Sequence, residues 1–123
     1  MVKFIDIHET HPDFKGVEFS YANYAMYTDV QPCEIVRVVS DKCLEIRHMN
    51  AEQLHTPEDL GWVSGGFAGH ATRNREGQKW EITSNPKNRV FKIRRQKNGT
   101  WKKAGGGRFY LSTEPHKFHD YNF

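Results

Sequence analysis

Apolar and polar positions alternate with a period of two in several short runs of this chain. That is the pattern of half-buried strands. Residues 34–39 and 43–49 make a first predicted hairpin, with Ser40, Asp41 and Lys42 as its loop. A three-residue loop sets Val38 opposite Leu44 and Val36 opposite Ile46 on an apolar face. It sets Arg37 opposite Glu45 on the other face, a favourable cross-strand pair. It also pairs Val39 with Cys43 and Cys33 with Met49, so the two cysteines do not face each other. A two-residue loop would mate Val38 with Glu45, and the three-residue loop is preferred for that reason.

Residues 79–83, 90–97, 100–104 and 108–112 read as four further strands in succession, a meander that organises the rest of the chain. Asn98-Gly99 lies between the second and third and is a strong hairpin signal. A two-residue turn there places Trp101 opposite Gln96. A three-residue loop, Lys97-Asn98-Gly99 with a bulge, places it opposite Arg95, on the face of Phe91 and Ile93. The second arrangement buries the tryptophan with its apolar neighbours and is the one expected. Lys92 and Arg94, with Lys102 across the ladder, then form an exposed basic face.

The remaining stretches are less regular. Ile5 and Ile7 share a face of a short N-terminal strand that is broken by Pro12. Tyr21, Tyr24 and Tyr27 are spaced by three, which suits a helical turn packed on the sheet. Thr56-Pro57-Glu58-Asp59 carries the signals of a helix start, and Gly61 keeps that helix short. Three aromatics within residues 118–123 predict a docked tail. Together these elements predict one mainly β domain over residues 1–123. Its fold would be a small antiparallel barrel or a strongly curled sheet of SH3-like or OB-like size. It would hold five to seven strands, one long irregular loop and at most one or two short helices.

Charge changes this picture. The formal net charge is only +3, yet nine of the 18 Lys and Arg residues fall between Asn85 and Arg108, where no Asp or Glu occurs. The rest of the chain sets nine bases against 15 acids. Such segregation predicts a local positive field. The candidate anion or nucleic-acid site is therefore Lys92, Arg94, Arg95, Lys97, Lys102, Lys103 and Arg108, with Trp101 and Tyr110 as stacking platforms. No apolar run reaches the roughly 18 residues that span a bilayer. The N-terminus lacks a signal-peptide core. The expected compartment is a cytoplasm.

Catalytic signals are sparse. Gly65, Gly66 and Gly69, followed by His70, Arg73 and Arg75, form a candidate ligand loop for an anion, without the Lys-Ser or Lys-Thr of a P-loop. Cys33, Cys43 and Ser64 have no recognisable base in frame. His8 with His11, and His116 with His119 and Asp120, have ligand-like spacing but no convincing helix to hold it. No metal and no cofactor are expected.

Four stretches carry a resemblance: Tyr27-Thr28-Asp29, Gln78-Lys79-Trp80, residues 94–101 and His119-Asp120-Tyr121-Asn122-Phe123. In these the chain resembles a group of small phage- and prophage-encoded proteins. The resemblance implies a bacterial host cytoplasm. It transfers no site residues, because that group has no assigned activity. The expected function is non-enzymatic binding of a polyanion, nucleic acid first. One alternative is an inhibitor of a host defence system, acting on an acidic host protein surface or sequestering a nucleotide signal. Another is a small metal-independent phosphodiesterase using His70.

Overall fold

The computed structural model describes residues 2–5, 17–64 and 69–122, and the chain is all-β over them. The short strands β1 (Phe4–Ile5) and β2 (Glu18–Phe19) pair with each other. They are followed by β3 (Tyr21–Ala25), β4 (Val30–Gln31), β5 (Cys33–Ser40), β6 (Cys43–His48) and β7 (Asn50–Gln53). The pairs β8 (Trp62–Val63) with β9 (His70–Ala71), and β7 with β10 (Trp80–Thr83), are separate two-stranded ribbons. The chain then runs through β11 (Phe91–Arg95), β12 (Trp101–Lys103) and β13 (Arg108–Ser112).

Six of these strands close an antiparallel barrel in the cyclic order β3, β5, β6, β11, β12, β13, and β4 is an extra strand beside β3. The predicted small barrel is therefore the observed architecture. Closure is made by β13, which pairs along its length with β3 from Arg108↔Ala25 to Ser112↔Tyr21. The interior is filled by Phe4, Phe19, Ala22, Cys33, Ile35, Leu44, Ile46, Ile93, Trp101 and Phe109. Trp101 packs edge-on to Phe4 at 5.6 Å, and Tyr24 stacks on Phe109 at 5.0 Å.

The Asn98-Gly99 hairpin adopts the predicted three-residue register. Arg95 faces Trp101 and Arg94 faces Lys102. Gly99 takes φ +88°, a left-handed conformation that a side chain resists. The first hairpin is half as predicted. Val38 faces Leu44 and Arg37 faces Glu45, but the tip is the two-residue loop Asp41-Lys42, since Ser40 pairs with Cys43. Register shifts between Val38 and Ser40 and between Ile35 and Arg37 reconcile the two. Ile46 consequently faces Ile35 instead of Val36, and Cys33 faces His48 instead of Met49. An extra residue in one strand bends it and increases its twist, which is what a sheet needs to close on itself.

Other expectations are corrected. Tyr21 and Tyr24 belong to a strand, β3, and their spacing by three reflects no helix. In β1, which pairs with β2, Phe4 is buried and Ile5 exposed; Ile7, expected to share a face with Ile5, and Pro12 lie outside the described residues. Strand β10 does not join the meander. It pairs with β7, and β11 takes β6 as its neighbour. Thr56 and Asp59 cap each other reciprocally, with the Thr56 N–H donating to the Asp59 carboxylate at 2.9 Å, but only a turn follows.

The tail is docked, as its aromatics predicted. Phe118 forms a bridge with Val30. The Asp29 carboxylate accepts from the Asp120 N–H at 2.8 Å and meets His119 Nδ1 at 3.3 Å. Gln78 donates to the His119 carbonyl, and the Tyr121 hydroxyl lies 2.7 Å from Nε2 of the buried His55. The Asn122 side chain accepts from the Ala71 N–H and donates to the Ala71 carbonyl.

Candidate anion-binding groove

Three cations lie side by side on adjacent strands. Arg94 of β11 pairs with Lys102 of β12, which pairs with Arg108 of β13. Residues directly opposite in an antiparallel ladder share a face, and neighbouring strands are about 4.8 Å apart. The row is bounded by Cys43 on one side and Ala25 on the other, so no carboxylate lies in it. All three side chains are exposed. The next row is mixed: Arg37, Glu45 and Lys92 lie across β5, β6 and β11. There the Glu45 carboxylate is engaged by Arg37 at 2.5 Å, while Glu34 is engaged by Arg47 at 2.6 Å.

Beside the row the sheet splits. The β11–β12 ladder covers Ile93 to Arg95 only, and the chain leaves β12 through Gly105, Gly106 and Gly107, all at positive φ. Strand β11 continues to Phe91 on its β6 partner alone. Between the diverging segments lies a cleft of about 980 Å³. Arg89, Lys92, Arg94, Lys102 and Lys103 line it, and among the described residues no acid lines it. His48 and Phe91, both half-buried, supply an aromatic wall, their rings 5.4 Å apart and tilted by 30°.

His48 is fixed from below. Its Nδ1 lies 3.4 Å from Sγ of the fully buried Cys33. Burial pushes the Cys33 thiol up to about 12, with the charge of nearby Lys103 acting the other way. The sulfur therefore keeps its proton, and the Sγ–Nδ1 contact fixes the ring's orientation. Burial, then the charge of Lys103, hold the His48 pKa below its ordinary value. Cys33 is thus a packed thiol and no nucleophile.

These two groups predict a stability plateau. An unfolded chain protonates His48 near 6.5 while the folded chain resists to lower pH, so stability falls as pH drops below 6.5. The unfolded thiol ionises near 9.0 and the folded one near 12, so stability also falls as pH rises through that interval. Urea midpoints measured across pH are expected to be highest between 6.5 and 9.0. A midpoint that increases on acidification below 6.5 contradicts the His48 environment.

Of the residues expected at the site, Lys92, Arg94, Lys102 and Lys103 meet at the cleft, and Arg108 extends the row. Lys103 also lies over the Tyr24 ring at 5.1 Å. Arg95 shares the register of Trp101 and is half-buried, and Lys97 is exposed at the hairpin loop away from the cleft. Trp101 is only 3% exposed, so the same register that buries it rules it out as a stacking platform. Tyr110 is exposed but bonded to His116 Nδ1 at 2.9 Å, in a separate cleft of about 420 Å³.

The candidate ligand loop is described only in part. Gly65 and Gly66 lie outside the described residues. Gly69 sits against the Trp62 ring so closely that a Cβ would meet its Nε1 at 2.5 Å. His70 is exposed on β9 opposite Val63, Arg73 is exposed, and Arg75 stacks over Phe118 at 4.2 Å. His8 and His11 also lie outside the described residues, and His116 and His119 turn to different partners, Tyr110 and Asp29.

Sequence reasoning missed Arg89, His48 and Phe91 as site residues. The acid-free run included Arg89, but its position on the rim depends on the split in the sheet. Searches of protein-family models, curated proteins and solved structures find no match. Among the described residues no helix is long and apolar enough to cross a membrane.

Proposed function

We propose that this protein is a non-enzymatic binder of polyanions, with nucleic acid as the partner, and that it works in a phage-infected bacterial cytoplasm. The observation that supports this most is the run of cations from Arg108 through Lys102 and Arg94 into a cleft that no carboxylate lines among the described residues. Like charges placed directly opposite each other weaken a ladder. Three in succession are a standing cost that a bound phosphate chain relieves. The buried, protonated Cys33 thiol and the engagement of Arg75 with the Phe118 ring favour binding over catalysis.

The test is an equilibrium titration of fluorescent oligonucleotides at graded salt. If the row and cleft cations contact about four to six phosphates, log affinity for a single strand falls with log salt at a slope of about −3 to −4. Absence of binding to DNA and RNA at about 50 mM salt overturns the proposal, since backbone contacts are strongest there. A host protein captured through charge reversal-sensitive contacts at Arg94, with no nucleic acid bound, would favour the defence-inhibitor alternative.

A further inference from the structure

A patch that only neutralises phosphates needs cations and has no use for aromatic rings. The cleft beside the cation row nevertheless has a wall made of Phe91 and His48. We propose that it takes one unstacked base of a single-stranded nucleic acid, packed against Phe91 and the edge of His48, with the flanking phosphates on Lys92, Arg94 and Lys102. The proposal rests on the polyanion reading above and names the form of the partner.

Three features support it. The volume, about 980 Å³, is in the range of sites that enclose a small organic group. A base within a duplex is stacked and paired and cannot enter such a split, whereas a single strand presents its bases freely. The wall is also preorganised. The Cys33 thiol holds His48 at Nδ1, and the Asn88 side chain donates to the His48 carbonyl at 2.8 Å. Burial disfavours the charged imidazole, and the Nε2 edge of the ring remains to meet a hydrogen-bonding group on a base edge. The cations sit at the rim, so the strand's backbone and its inserted base are bound by different groups.

The experiment compares three probes at equal salt: an eight-residue oligothymidylate, an abasic phosphodiester of the same length, and a duplex of the same length. The oligothymidylate is expected to bind about tenfold more tightly than either of the others. Phe91→Leu, which keeps an apolar side chain in place, is expected to remove most of that advantage while changing abasic binding by less than about twofold. Equal affinities for all three probes overturn the base pocket but leave polyanion binding standing, because the salt slope persists. Failure of every probe to bind at about 50 mM salt removes both. A thymidine mononucleotide that binds as tightly as the oligomer also overturns the strand, and indicates a free-nucleotide pocket.

Discussion

Replacing Arg94, Lys102 and Arg108 together by glutamine is expected to weaken single-strand binding about 100-fold at roughly 0.1 M salt. Each lost phosphate contact forfeits about 0.7 of a counterion, or roughly fivefold at that salt, and three contacts multiply to about two decades. The salt slope should become shallower by about 2. The same variant is expected to melt higher. Arg94, Lys102 and Arg108 face one another across two ladders. Removing two like-charge pairs returns about 1 kcal/mol, which is about 3–5 °C for a domain of this size. A control variant, Arg73→Gln with Lys79→Gln, removes exposed charge away from the cleft and should leave the slope unchanged. The measurements are anisotropy titrations and thermal melts. A triple variant that melts lower, or binds as tightly as the parent, contradicts the function assigned to the row.

Trp101→Ala is expected to be the most destabilising single change at the aromatic positions of the meander, by about 3–5 kcal/mol. The side chain is 3% exposed and packs edge-on against Phe4, so truncation empties space in the barrel interior. Against a total stability of about 5–15 kcal/mol, that loss leaves a marginal fold. Tyr110→Ala, at an exposed position, should cost about 1 kcal/mol, the worth of its hydrogen bond to His116. Urea unfolding of the two variants tests the contrast. Similar costs for both would mean that the Asn98-Gly99 hairpin does not hold the register seen here.

That hairpin was legible because its turn chemistry and its burial pattern agree. Gly99 permits the left-handed position, and the three-residue loop also puts Trp101 inside. The β5–β6 hairpin was legible only near its tip. Val38↔Leu44 and Arg37↔Glu45 follow from alternation, but alternation carries no mark for an extra residue. The register shifts past Val38 and Ile35 are set by barrel closure, a property of the whole sheet. For the same reason alternation alone places β10 in the meander. Its alternation fixes that it is a strand, while its pairing with β7 depends on where the intervening loop leads. The cationic half of the site was readable from the acid-free run. Its aromatic half was not, because His48 and Phe91 meet only through the β6–β11 ladder, and the cleft exists only because β12 parts from β11 after Lys103.

Three stretches that lie far apart in the chain meet at the docked tail. Asp29, Gln78 and Trp80 gather round His119, Asp120 and Tyr121 and the His55 beneath them.

The position of β13 and the tail has a consequence for biosynthesis. Residues 108–122 both seal the barrel against β3 and tie down Asp29, His55, Ala71 and Gln78. A nascent chain that has reached only β12 carries an open β3 edge and an unfastened ribbon pair, and neither can be completed until the ribosome has delivered that segment. Strand edges left open in this way pair with other chains. Until then the nascent polypeptide is open to chaperone capture and proteolysis.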